Sequence, residues 1–288
     1  MDFRTDLALE RHELIRDYTP KGVKSKQYNS GGIEFTKITV TDKDGAEALH
    51  KPVGTYITAE LPSPAVSPAD TEAIEALSSE LAGLITPNGA VLVVGLGNSD
   101  ITPDAVGPKS VSSVLATRHI SDGMMKNAGL GRLRPVSVFL PGVLGKTGVE
   151  TAESIKGIAD TVKPSAVIAV DALAARRLSR LGNTIQMSDT GISPGSGVGN
   201  RRSTVNKESI GVPVISIGIP TVVDAETLVA DLTGDENAVT DKERAGMIVT
   251  PREIDLVVER AAKIIGLSIN RALQPHLSID DIMMLTGD

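Results

Sequence analysis

Apolar and polar positions divide the chain into two unlike halves. Ile33-Glu-Phe-Thr-Lys-Ile-Thr-Val40 alternates with period two, and Gly54-Thr-Tyr-Ile-Thr-Ala-Glu-Leu61 partly does, which predicts a two-stranded β element with one solvated face. From Ala90 onward short apolar runs alternate with helical stretches. Strands are predicted near 90–95, 135–140, 166–170 and 212–218, with a weaker one at Thr184-Ile-Gln-Met187. Helices are predicted near 107–120, 149–162, 222–233 and 250–273. Thr5-Asp6 before Leu7-Ala-Leu-Glu10 reads as a capped helical turn, and Ser67-Pro68 as the start of a helix running towards Ile85. The spacer at 233–240 reads as a surface loop.

Strand–loop–helix alternation predicts an α/β fold with a doubly wound, mostly parallel sheet flanked by helices. We expect a single α/β domain over residues 1–288, with 31–61 as a small N-terminal β appendage, since no linker marks a second domain.

Composition narrows the function classes. The 288 residues contain no Cys, which excludes thiolate nucleophiles, disulfides and Cys-based metal sites. Aromatic residues make up only 2%, so Val, Ile, Leu and Ala must fill the core. A formal charge of −7 argues against direct nucleic-acid binding, which depends on neutralising phosphates. No apolar run reaches the roughly 20 residues of a membrane span, so no membrane association is expected. The four histidines are scattered, and no metal or cofactor is expected.

The chemistry lies at the strand ends. Ala90-Val-Leu-Val-Val-Gly-Leu-Gly97 runs into a loop ending at Thr102-Pro-Asp104, and Ala166-Val-Ile-Ala-Val170 runs into Asp171. In open α/β sheets the reactive groups collect at the carboxyl ends of the strands, so Asp104 and Asp171 meet if their strands are near neighbours. Two carboxylates at one site titrate unequally, as acid–base hydrolysis by water requires. Asp104 also fits a helix N-cap, and Asp100 is the competing carboxylate of its loop. The third glycine of a dinucleotide fingerprint would fall at Asp100, so that fingerprint fails.

Asp189-Thr-Gly-Ile-Ser-Pro-Gly-Ser-Gly-Val-Gly-Asn-Arg-Arg202 is a glycine-rich loop whose backbone N–H groups can approach a ligand or oxyanion, with Asp189 a secondary carboxylate. Gly195, Gly197 and Gly199 are its candidate substrate-binding glycines. Arg176, Arg177, Arg201 and Arg202 are candidate cations for an acidic substrate group, and each also fits a solvated surface charge.

These stretches resemble the germination protease family of spore-forming bacteria. The resemblance runs from Arg4-Thr-Asp-Leu-Ala8 through Gly95-Leu-Gly-Asn98 with Thr102-Pro-Asp104, Arg134-Pro-Val-Ser137, Pro141-Gly-Val143, Gly145-Lys-Thr-Gly-Val-Glu-Thr151, Val167–Arg176, Asp189-Thr-Gly191 and Pro194–Asn200 to Gly218-Ile-Pro-Thr-Val-Val-Asp224. It implies a fold similar to that of the hydrogenase-maturation proteases and an endopeptidase that degrades small acid-soluble spore proteins during germination. It further implies cleavage next to Glu, a homotetramer, a self-processing zymogen and action in the cytoplasm of the spore core. Two catalytic aspartates are implied, and by motif these match Asp104 and Asp171. Three features depart from the family. Only Met1-Asp-Phe3 precede Arg4, where members usually carry a longer prosegment; Ser99 stands in place of an expected Trp, and Ser193 in place of an expected His. The alternatives held open are a metal-dependent maturation protease on a similar fold and a non-catalytic peptide- or nucleotide-binding protein.

Overall fold

The computed structural model describes residues 4–15, 20–62, 70–85, 88–121, 123–124, 131–195, 202–235 and 247–287. One mixed sheet runs through it. Its strands are β1 (Val23–Ser30), β2 (Ile33–Val40), β3 (Gly54–Glu60), β4 (Val91–Gly95), β5 (Val136–Phe139), β6 (Ala166–Ala175), β7 (Thr184–Ser188), β8 (Val214–Asp224) and β9 (Ile248–Val249). The spatial order is β1-β2-β3-β7-β8-β6-β4-β5, with β9 on β8. Parallel pairing joins β8, β6, β4 and β5, whereas β1, β2, β3 and β7 pair antiparallel.

The described helices are α1 (Ala8–Leu14), α2 (Lys43–Leu49), α3 (Thr71–Leu84), α4 (Val106–Ser112), α5 (Leu144–Thr147), α6 (Thr151–Val162), α7 (Lys207–Ile210), α8 (Ala225–Thr233), α9 (Ile254–Leu273) and α10 (Ile279–Thr286). Central strands are buried on both faces because their apolar runs alternate between two cores. Val91 and Val93 pack with Leu77 of α3, Val106 of α4 and Ile265 of α9. Leu92 and Val94 pack with Ile155 of α6 and Ile210 of α7. Continuous Val and Leu runs are what such two-sided coverage demands.

The N-terminal β element differs from expectation in two ways. It has three strands rather than two, and it continues the main sheet through β3–β7 pairing instead of standing apart from it. Phe35 serves the α3 face while Ile38 packs with Leu9 of α1 and Leu49 of α2, so neither face of β2 is solvated. β1 carries no sequence signal because its exposed run from Lys24 to Gln27 lacks apolar alternation; it is a polar sheet edge.

Thr5-Asp6 does not cap α1: Leu7 is the N-cap residue, without a side-chain cap. Thr5 Oγ1 instead accepts from the Leu7 N–H at 3.0 Å and donates to the buried Glu10 carboxylate. Glu10 in turn accepts from the N–H groups of Arg176 and Arg177 at 2.6 and 3.0 Å, and lies 3.5 Å from the Arg180 guanidinium. The N-terminal segment is thereby fastened to the chain leaving β6.

Candidate active site

The site sits where the parallel strands change direction of succession. From β4 the chain moves to β5 on one side, then crosses to β6 on the other, with α4 and α6 packed on opposite faces of the sheet. Such a switch point leaves a crevice at the strands' carboxyl ends. The last β4–β6 pair is Gly95 with Val170, next to the bond from the Leu96 N–H to the Val170 carbonyl at 2.8 Å. Asp171 is thus the first β6 residue with no neighbour on that side. β6 nevertheless continues to Ala175 on β8, so Asp171 lies within a strand rather than at its end.

The loop after β4 returns Asp104 to this crevice. Gly97 has φ +109°, and a Cβ there would lie 2.1 Å from the Asp104 carbonyl oxygen. Only glycine lets the turn close, and the Asn98 N–H then donates to that carbonyl at 3.0 Å. Asp104 ends a 3₁₀ turn, Thr102–Asp104, held by its own N–H donating to Ile101 O at 2.8 Å and by Thr221 Oγ1 of β8 donating to Pro103 O at 2.7 Å. Gly107, in the first turn of α4, lets the helix approach the Leu96 and Val170 carbonyls too closely for a side chain.

Asp104 and Asp171 line one cavity of about 360 Å³ together with Asp6, Gly195 and Arg202. Its remaining walls are largely apolar, including Leu96, Ile101, Val143 and Val222. Burial raises the Asp104 carboxyl to about 6, against a hydrogen bond from the Asn98 backbone and the Arg202 charge, which pull it down. Burial raises Asp171 well above the ordinary carboxylate range, and the charges of Asp104 and Asp6 add to this. The Ala172 N–H, donating to Asp171 Oδ1 at 2.9 Å, opposes the rise. Both carboxyls therefore hold protons more tightly than free carboxylates do, and two carboxyls that act on each other titrate unequally.

The other sequence candidates fall in several places. Asp100 is exposed and bonded to Lys146, which holds its carboxyl below the ordinary range; it does not line the cavity. Asp189 lines a second cavity and accepts the Thr55 N–H at 2.7 Å. Arg176 is buried and pairs with Asp231 at 2.7 Å, and Arg177 lies 3.5 Å from Glu13; neither lines either cavity. The Arg176 side chain is turned to α8, and that of Arg177 to the ionic cluster that anchors the N-terminal segment. Gly197, Gly199 and Arg201 lie outside the described residues. Among the described residues no group of three or more His, Cys, Asp or Glu is placed to hold a metal ion. No described helix is long and apolar enough to cross a membrane.

Sequence reasoning missed Asp6 and Lys51. The Asp6 carbonyl accepts from Lys51 Nζ at 2.8 Å and from Gln186 Nε2 at 2.9 Å. Its motif, Thr5-Asp6-Leu7-Ala8, was visible, but its place opposite β6 depends on pairing across 168 residues.

A helix-flanked mixed sheet that brings a half-buried and a buried carboxyl, Asp104 and Asp171, to one cavity at the rim of its parallel strands defines an α/β protein with an acidic candidate site. Comparison with known proteins gives the family. A family model described as germination protease matches residues 5–234. The germination protease of Caldanaerobacter subterraneus subsp. tengcongensis is 43% identical over 99% of this chain and 98% of its own length. That of Clostridium tetani is 40% identical over 98% of each chain, and that of Bacillus subtilis 45% identical over 79% of this chain and 65% of its own. The chain belongs to the germination protease family. A [NiFe] hydrogenase maturation protease, HycI from Thermococcus kodakarensis KOD1, aligns at 20% identity with a TM-score of 0.36, covering 66% of this chain and 98% of the other, a likeness too slight to carry an argument.

Proposed function

We propose that this peptidase of spore germination is an endopeptidase that opens small acid-soluble spore proteins next to Glu, using water activated between Asp104 and Asp171. The observation that carries the reading is the pair itself: two carboxyls in one cavity, one raised to about 6 and the other higher still. At neutral pH Asp104 is ionised and takes a proton from the attacking water. Asp171, protonated, donates a hydrogen bond to the scissile carbonyl and so polarises it. As the tetrahedral intermediate collapses, the proton held by Asp104 passes to the leaving amine. The two carboxyls act on each other, so the apparent pKa values of the site belong to the pair. The Arg202 charge favours the ionised form of Asp104 against the larger effect of burial.

This mechanism assigns no role to a metal ion. Homotetrameric assembly, synthesis as a self-processing zymogen and residence in the spore core are carried as parts of the same proposal. The decisive experiment incubates the protein with a Glu-containing spore-protein substrate and maps the products by mass spectrometry, with and without exhaustive chelation. Cleavage beside Glu that survives chelation is the expected result. Metal-restored cleavage after chelation would replace the two-aspartate mechanism, and an intact substrate would remove the peptidase reading.

A further inference from the structure

A second cavity, of about 520 Å³, adjoins the first and shares Asp6, Leu173 and Arg202 with it. Its lining is mostly polar and includes Lys51, Lys207 and His50. Lys51 is brought there by the turn that ends α2, where His50 adopts a left-handed φ of 50°. The Tyr56 hydroxyl, donating to the Pro52 carbonyl at 2.8 Å, fixes the segment between Lys51 and β3.

An ammonium has three donors. Among the described residues, that of Lys51 uses one, to the Asp6 carbonyl, and forms no ion pair with a carboxylate. Burial pulls its charge down, the Asp6 charge supports it, and the Arg11 and Glu10 charges act in opposite senses. A partly desolvated cation of this kind gains from an arriving carboxylate, which restores what burial removed. Asp6 lines both cavities and its carbonyl holds Lys51 Nζ at 2.8 Å, so the ammonium lies beside the wall that the second cavity shares with the one holding Asp104 and Asp171. Arg176 and Arg177 are committed to Asp231 and Glu13, whereas Arg202 lines both cavities and Lys51 is bonded to Asp6 on their shared wall.

We propose that Lys51 is a specificity-determining residue: the acidic side chain flanking the scissile bond enters the second cavity and accepts a charge-assisted hydrogen bond from Lys51 Nζ. This rests on the endopeptidase reading above and assigns its glutamate selection to a residue outside the glycine-rich loop.

The test uses two peptides identical except for Glu or Gln beside the scissile bond. Their kcat/KM is measured with the wild-type protein and with Lys51→Met, Lys51→Gln and Lys51→Arg; the Gln variant keeps a donor for the Asp6 carbonyl should the Met variant fail to fold. Binding of the same peptides is measured in the inactive Asp104→Asn background with and without Lys51→Gln. Loss of a hydrogen bond to a charged group predicts about a tenfold fall on the Glu peptide, with the Gln peptide little changed. Lys51→Arg should retain the preference. An unaltered Glu/Gln ratio in the Met and Gln variants, or an equal fall on both peptides, overturns the proposal and leaves the peptidase reading intact. Absent cleavage with a Lys51-dependent preference in binding would keep the subsite and remove the peptidase. No preference for Glu in either assay would overturn the subsite.

Discussion

Asp6 and Ala174 grip each other twice: the Asp6 N–H donates to the Ala174 carbonyl at 2.9 Å, and the Ala174 N–H donates to Asp6 Oδ2 at 2.9 Å. Residues near the N-terminus thus satisfy the backbone of β6 just past Asp171, where β4 no longer runs alongside. An irregular segment replaces a strand there, and the opening beside it is the cavity lined by Asp104 and Asp171.

Replacing either member of the carboxylate pair by asparagine removes the titrating proton while keeping the side chain's shape. Asp104→Asn and Asp171→Asn should each lower kcat/KM by about 10²- to 10⁴-fold with unchanged circular dichroism, the scale of general acid–base catalysis. Asp100→Asn, which loses only the exposed contact with Lys146, should stay close to wild type. Substantial activity in either of the first two variants would take that aspartate out of the mechanism.

The pH profile of kcat/KM should be bell-shaped. Activity rises as Asp104 ionises near 6 and declines at higher pH as the more strongly raised Asp171 loses its proton. The Arg202 charge favours ionised Asp104, so Arg202→Met should move the acid limb to higher pH. A limb that stays in place would show that Arg202 does not act on Asp104.

Stability should change with pH in the opposite sense to that of an ordinary paired carboxylate. Both carboxyls hold protons more tightly folded than unfolded, so folding is favoured at low pH. That advantage is lost as pH rises from the ordinary value of 3.8 through about 6 for Asp104, and further for Asp171. Asp171→Asn abolishes one of these titrations. Its Tm should exceed that of the wild type at pH values above this window, and the gain should vanish below it. Calorimetry across the range would detect a gain independent of pH, which would refute the linkage.

Gly97→Ala is expected to damage both fold and activity. Its Cβ would collide with the Asp104 carbonyl oxygen, and its backbone sits at φ +109°. Relief requires the 96–104 loop to move, and Asp104 moves with it. Urea denaturation and peptide cleavage should therefore fall together; normal activity in a destabilised variant would show that the loop tolerates displacement.

The carboxylate pair was legible in the sequence because buried strands leave a plain mark: Val91–Val94 and Ala166–Val170 can hardly be anything but central strands, and the residues directly after them belong at the rim. The end of β6 was not legible. Ala172-Leu-Ala-Ala175 carries no strand signature of its own and stays extended only because β8 runs beside it. Arg176 was hard to place for a related reason, since nothing local to it announces Asp231 as its partner. Lys51 and Asp6 stayed hidden because their meaning arises entirely from contacts made far along the chain.

The same long reach has a bearing on when the protein becomes dangerous to its surroundings. Ala8 is fastened to Gln186, Asp6 to Ala174 and Arg4 to Asp224, so the cavity has no complete wall until the chain through Asp224 exists. Domains generally fold as units and N-terminal parts emerge first during synthesis. A half-made chain on the ribosome therefore carries Asp104 without the walls that raise it, and its cutting power arrives only with the last strand of the sheet.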